Sequence, residues 1–176
     1  KKNNYILFVG SRDKYKNFSN FIKAFGKSNY LINNYKILCF GSKSFNLEEV
    51  QLFNKLKIEK NLFFKSGNDK TLIELYRKAS LFVTTSKNEG FGLTPLEAMS
   101  CGCPAICSNI AIFREILGNS CSYINPNNII DIKKKMENVI KSKNKQKILI
   151  KLGFLKAQQY SWDKCSLETI KIYKKV

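Results

Sequence analysis

The stretch Leu81-Phe-Val-Thr-Thr-Ser-Lys-Asn-Glu89-Gly-Phe-Gly-Leu-Thr-Pro-Leu-Glu97-Ala-Met-Ser-Cys-Gly-Cys-Pro-Ala-Ile-Cys107 decides the fold. It opens on an apolar run, Leu81–Thr84, crosses a loop holding Gly90 and Gly92, and enters a helical segment, Pro95–Cys101. A second short apolar run, Ala105–Cys107, follows Gly102 and Pro104. Both runs are apolar without alternation, the pattern of parallel strands buried on both faces. Parallel neighbours need a crossover, and the intervening helix supplies one.

The same unit repeats outward in both directions. Further strands are predicted at Tyr5–Val9, Lys36–Phe40, Leu62–Phe64 and Ser122–Ile124, bounded by Gly, Ser or Asn. Between them the apolar spacing predicts helices at Asn17–Lys27, Leu47–Lys57, Lys70–Lys78 and Ile112–Leu117. Strand–helix alternation of this kind gives a doubly wound α/β fold, Rossmann-like, on a parallel sheet of six strands. Asn125-Pro126 then makes a turn, and extra C-terminal helices are expected at Ile129–Lys141, Gln146–Gln158 and Trp162–Lys175. There is no internal repeat and no low-complexity linker. In such a sheet ligands bind at the carboxyl ends of the strands, where the chain turns into its helices.

The totals bound the partners. A chain of 176 residues suffices for one domain with a proper core. No apolar run approaches the ~18 residues of a membrane-spanning helix. The opening KKNNYILFVG runs straight into a strand pattern instead of a signal peptide, and it lacks an initiating Met. The piece therefore reads as cut from a longer protein. A net charge of +18 fits nucleic acid, an anionic membrane or phosphorylated small molecules. Most of it reads as compositional drift: the lysines, such as Lys133 to Lys135, Lys141, Lys143, Lys145 and Lys147, are spread over solvated helices. No aromatic stacking platform is interleaved with them, which argues against nucleic acid. Of the six cysteines, Cys101, Cys103 and Cys107 lack zinc spacing, and the chain has no His. They read as small hydrophobes of a reducing, cytoplasmic compartment.

Chemistry concentrates at two strand ends. Gly90 and Gly92 let the backbone approach a ligand closely. Thr94 suits an N-cap and Pro95 the first helical position, so the segment predicts a helix N-terminus able to cradle phosphate. Glu97 stands three residues after Thr94, the spacing of a capping box, and that spacing alone favours a cap bond to the Thr94 amide. Glu89 could be a plain loop acid. Yet both carboxylates flank one glycine loop, where each can accept two hydrogen bonds from a vicinal diol. After the first strand, Gly10-Ser-Arg-Asp-Lys-Tyr-Lys-Asn17 has one glycine, too few for a dinucleotide fingerprint. It brings Arg12, Lys14 and Lys16 to the same sheet edge instead, as cations for a phosphate.

Glu89 and Glu97, set around Gly-Phe-Gly-Leu-Thr-Pro-Leu, resemble the paired-glutamate motif of the retaining glycosyltransferases of family 4, also called group 1. The likeness runs on through Glu97 to Pro104, Phe113 to Gly118, Tyr123 to Pro126, Val9-Gly10 with Tyr15-Lys-Asn17, Leu72 to Ala79, and Tyr160-Ser-Trp-Asp163. It implies a GT-B enzyme of two Rossmann-like domains, with residues 1–176 as its C-terminal, nucleotide-sugar-binding domain and the N-terminal acceptor domain absent. Glu97 would hold the ribose hydroxyls and Glu89 would face the transferred sugar. The amides of Phe91, Gly92 and Leu93, with Gly10 and Gly90 in the adjoining turns and the Thr94 hydroxyl, would contact the sugar or diphosphate. Lys16, with Arg12, would neutralise the departing diphosphate in place of a metal ion, so no cofactor and no metal are expected. The sequence departs from the family at Ser11, where Arg is frequent, and at Lys65, where Gly is common.

The resemblance further implies transfer of a hexose from a nucleoside-diphosphate sugar to a hydroxyl with retained configuration, the proton passing to a leaving phosphate oxygen. The form Tyr15-Lys-Asn-Phe18 is similar to mannosyltransferases using GDP-mannose, with UDP-sugars next. The setting would be surface polysaccharide synthesis on a lipid-linked acceptor, at the inner face of the membrane. The fragment alone is expected to bind donor without turnover. Two rivals are a non-catalytic nucleotide-sugar-binding module and, ranked lower, a basic nucleic-acid-binding domain.

Overall fold

A computed structural model describes residues 2–12, 14–41 and 43–174. The chain runs β1 (Asn3–Val9), α1 (Phe18–Gly26), α2 (Asn29–Asn34), β2 (Lys36–Phe40), α3 (Leu47–Leu56), β3 (Leu62–Lys65), α4 (Asp69–Lys78), β4 (Ala79–Thr84) and α5 (Leu93–Ser100). It continues with β5 (Ala105–Ser108), α6 (Ala111–Leu117), β6 (Ser122–Ile124), α7 (Ile129–Lys141), α8 (Lys143–Ala157) and α9 (Trp162–Tyr173). All six predicted strands are present, those at Lys36–Phe40 and Ser122–Ile124 with the expected bounds. The expected end of the last helix at Lys175 lies outside the described residues.

The six strands lie parallel in the order β3-β2-β1-β4-β5-β6. The order reverses between β1 and β4, so their loops diverge to opposite faces and leave a crevice at the strand tips. Backbone bonds carry the ladder one step beyond the strands, from Gly10 N–H to Phe40 O at 2.9 Å and from Gly41 N–H to Lys65 O at 3.2 Å. The tips of β1, β2 and β3 are thereby tied together.

Alternation along the strands sends side chains into two cores. Ile6 and Phe8 of β1, with Leu81 and Val83 of β4, face Phe21, Ile22 and Phe25 of α1 and Ile132, Met136 and Val139 of α7. Leu7 and Phe82 face the other way, toward Leu75 and Tyr76 of α4, Met99 of α5 and Phe113 of α6. Truncating one of these buried aromatics to Ala typically costs ~3–5 kcal/mol. On this second face α8 lies against α5 at Gly153, where an added Cβ would stand 2.8 Å from Met99 Cγ. Cys39, Cys103, Cys107 and Cys121 are buried within these cores, as small hydrophobes are. Burial pushes the Cys103 thiol up to about 12.

Two local readings are corrected. A helix over Asn29–Asn34 was not expected from its Asn-rich sequence; Ser28 caps it by accepting the Leu31 N–H. The helix after the glycine loop begins at Leu93, with Gly92 as N-cap. Thr94 is therefore the second helical residue and Pro95 the third. The Thr94–Glu97 capping box does not form, because the left-handed turn at Gly92 starts the helix two residues earlier.

Candidate functional site

The crevice between β1 and β4 gathers most of the residues singled out from the sequence. Gly10 follows β1 with φ +107 and open space where a Cβ would be. The chain then makes a 3-10 turn over Lys14–Lys16 and enters α1 through Asn17 in a left-handed conformation. This turn is fastened to the tip of β4. Thr85 donates its hydroxyl to the carbonyls of Lys16 and Asn17 at 2.9 and 3.1 Å, and the Lys87 N–H bonds Tyr15 O at 2.8 Å. Asn17 Nδ2 donates to Pro126 O at 2.6 Å, which anchors the turn to the segment after β6.

The fastening sets Lys16 against the glycine loop. Its ammonium lies 2.7 Å from Glu89 Oε1, and only 14% and 16% of the two side chains is exposed. An ion pair so shielded from water is strong, and each partner becomes costly to leave alone. Lys14 stays exposed.

Arg12 turns elsewhere. Its Nε donates to Glu49 Oε1 at 2.6 Å, and one terminal nitrogen donates to the carbonyls of Lys43 and Ser44 at 3.0 and 2.7 Å. The guanidinium carbon also stands 5.8, 5.1 and 5.8 Å from the ring centroids of Phe18, Phe45 and Phe64. Glu49 in turn completes the capping box of α3 with Asn46. Arg12 is thus held over the loop after β2, and it is not brought to the carboxylates of the glycine loop.

That loop presents donors. Gly92 stands at φ +118, which a residue with a Cβ rarely adopts, and its Cβ position lies 3.2 Å from the Phe113 ring. At Gly90 the corresponding space is open. No side chain caps α5 at Gly92, and its first turn holds no acid. Pro95 has no N–H, so the amides of Leu93 and Thr94 are the helix-end donors without a partner among the described residues. They carry the partial positive charge of the helix terminus toward the crevice. Phe91 is held by an edge contact with Tyr160, ring centroids 5.6 Å apart, and the Tyr160 hydroxyl donates to Ile116 O at 3.2 Å.

Glu97 lies exposed on the second turn of α5. Its Oε2 accepts the Tyr76 hydroxyl at 3.0 Å. Sequence reasoning gave no role to Tyr76, to Tyr160 or to Thr85. The one signal available was general: a tyrosine on a helix face with Leu72, Leu75 and Ala79 will be buried, and a buried hydroxyl needs an acceptor.

The crevice therefore holds an anion-seeking helix end, a cation and two carboxylates. This set can grip a diphosphate flanked by hydroxyl-bearing rings. The family model described as Glycosyl transferases group 1 matches residues 1–155. The chain is 38% identical over 106 residues to O-antigen chain mannosyltransferase B of Escherichia coli, covering 60% of this chain and 28% of that one. It is 34% identical over 142 residues to O-antigen chain mannosyltransferase RfbU of Salmonella typhimurium, covering 80% and 38%. The chain thus spans well under half the length of these relatives. Among solved structures, Anabaena Alr3699/HepE, in complex with UDP and glucose, superposes with a TM-score of 0.85 at 18% identity, over 99% of this chain and 49% of that one. The C-terminal domain of a group 1 glycosyl transferase (LpcC) from Francisella tularensis gives a TM-score of 0.77 at 21% identity, over 90% and 86%.

Proposed function

The chain belongs to the group 1 glycosyl transferases, and from that membership we propose that it is the C-terminal, donor-binding half of a retaining family 4 enzyme. One observation carries the reading. Glu89 and Glu97 flank a glycine turn at the switch point of the sheet, with Lys16 bonded to Glu89 across the crevice.

In this reading a nucleoside-diphosphate sugar lies along the crevice. Glu97 takes the ribose hydroxyls, and the amides of Phe91, Gly92, Leu93 and Thr94 take the diphosphate. Glu89 faces the hydroxyls of the sugar being transferred. The Lys16–Glu89 pair opens as donor enters, and the ammonium moves to the diphosphate. Charge grows on that group as the glycosidic bond breaks, so a cation and helix-end amides already in place stabilise the transition state more than the bound donor. Loss of one such donor group costs about 3 kcal/mol, roughly a hundredfold in rate. No metal takes part. Arg12 serves by fixing the loop after β2, through Glu49 and two carbonyls, so Lys16 is the principal phosphate cation.

A hexose donor is supported by the relatives, which are mannosyltransferases of O-antigen synthesis. GDP-mannose is the favoured donor. A UDP-sugar stands next, supported by the neighbour that holds UDP and glucose. The acceptor, a growing surface polysaccharide on a lipid, binds the other half of the enzyme at the inner membrane face. The present half binds donor and does not turn it over.

The test uses the full-length enzyme. Glu89→Gln should reduce transfer by two orders of magnitude or more while nucleotide affinity changes little. Undiminished transfer would remove Glu89 from the reaction, and nucleotide-sugar binding without transfer by the unaltered protein would instead make the site a non-catalytic nucleotide-sugar-binding module.

A further inference from the structure

We infer that Tyr76 is a positioning residue of the donor site, which holds Glu97 in the single orientation that lets its carboxylate read a ribose diol. The inference rests on the reading that Glu97 meets the ribose. It adds a residue from a different helix and a specific consequence, discrimination between ribo- and deoxyribonucleotides.

Glutamate on an exposed helix face ordinarily samples several rotamers about three side-chain bonds. Glu97 is on such a face, yet its Oε2 accepts the Tyr76 hydroxyl at 3.0 Å. The phenol that donates this bond cannot wander. Tyr76 is 1% exposed, and its ring packs edge-on against Phe82 with centroids 5.8 Å apart. The same hydroxyl lies 3.3 Å from Thr94 O, so one buried group touches both the carboxylate and the first turn of α5. Burial, and then the neighbouring Glu97 carboxylate, push the phenol well above its ordinary value. The hydroxyl keeps its proton at every working pH and can only donate to the carboxylate.

Anchoring Oε2 leaves Oε1, and the remaining lone pair of Oε2, to accept from a ligand at this exposed residue. A carboxylate so fixed has two acceptor sites set for two adjacent hydroxyls. Without the anchor the carboxylate would have to be ordered by the ligand itself, and part of the diol's binding would be lost to that ordering.

The experiment is calorimetric titration of the chain with GDP and UDP and with their 2′-deoxy and 3′-deoxy counterparts. The proteins are wild type, Tyr76→Phe, Glu97→Ala and the double variant. Tyr76→Phe keeps the ring against Phe82, and a urea melt of each variant establishes that it folds. Glu97→Ala removes an exposed side chain, leaves the Tyr76 hydroxyl a partner in Thr94 O at 3.3 Å, and serves if Tyr76→Phe does not fold. Tyr76→Phe should weaken the ribonucleotide about fivefold to tenfold, the worth of one ordinary hydrogen bond, and leave the deoxy forms nearly unchanged. In the Glu97→Ala background the same change should cost almost nothing, because the group it positions is gone. Equal weakening of ribo and deoxy forms by Tyr76→Phe would make Tyr76 a structural residue only and overturn the proposal. So would wild-type ribo preference that Tyr76→Phe leaves intact. If Glu97→Ala itself leaves ribo preference unchanged, or neither nucleotide binds wild type, the ribose reading of Glu97 falls and the positioning role falls with it.

Discussion

At Gly92 the backbone stands at φ +118, and a Cβ there would lie 3.2 Å from the Phe113 ring. Both the conformation and the space demand glycine at the residue that caps α5. Gly92→Ala should therefore destabilise the chain by about 1–3 kcal/mol, measured by urea denaturation, and weaken nucleotide binding further by displacing the Leu93 and Thr94 amides. A neutral substitution would mean that the turn relaxes without disturbing the helix end. This residue was legible beforehand, as were Glu89, Glu97 and Lys16. Glu89, Gly92 and Glu97 belong to the loop and helix that follow β4 and Lys16 to the turn after β1, so the strand–helix reading put them at one edge of the sheet. Arg12 and Tyr76 were not legible in the same way. Their partners stand 37 and 21 positions distant, and nothing in local spacing says whether a guanidinium reaches a phosphate or a glutamate on a helix two crossings away, α3.

Among the elements, the strands followed from their unbroken apolar runs, while helix ends depended on caps that sequence pairs signal ambiguously. Thr94-Pro95 looked like a helix start, but the backbone turn at Gly92 took that place. The helix at Asn29–Asn34 escaped notice because its residues favour turns, and its Ser28 cap is itself tied to another element. Ser28 Oγ donates to Glu137 Oε1 of α7 at 2.6 Å. That bond, with Lys133 and Lys141 nearby, lowers the Glu137 carboxyl below its ordinary 4.5 although partial burial works against it. A depressed carboxyl contributes stability that is present above its unfolded value and is lost as pH falls through the folded one. Urea melts of wild type should therefore lose stability below about pH 4.5, and Ser28→Ala should flatten that part of the profile while costing stability near pH 7. An unchanged slope below pH 4.5 would show that the bond contributes nothing to the acid response.

In the whole molecule, the sheet order brings loops far apart in sequence to one crevice. The turn after β1 and the loop after β4 meet only because these strands are neighbours where the order reverses. The strand–helix alternation predicted a doubly wound sheet and put both loops at its carboxyl edge, but the strand order that joins them came from the structure. The surface followed less well. The lysines of α7 and the start of α8 lie exposed or half-buried, as expected of a solvated charge excess. The apolar side of α9 was not foreseen: Trp162 and Tyr173 are each 76% exposed, and the helix buries none of its residues. Its amphipathic spacing signals a helix but names no partner to cover it. Among the described residues no helix is long and apolar enough to cross a membrane.

On the proposed reading the crevice between β1 and β4 binds a nucleoside diphosphate through Lys16 and the end of α5. The most direct test is calorimetric titration of the chain with GDP, UDP and ADP, repeated with Lys16→Ala. Preferential binding of GDP, or of UDP next, weakened about tenfold or more by the substitution, is the predicted result. Binding that disregards Lys16 and the base, and falls steeply with salt, would contradict it and assign the affinity to the general positive charge.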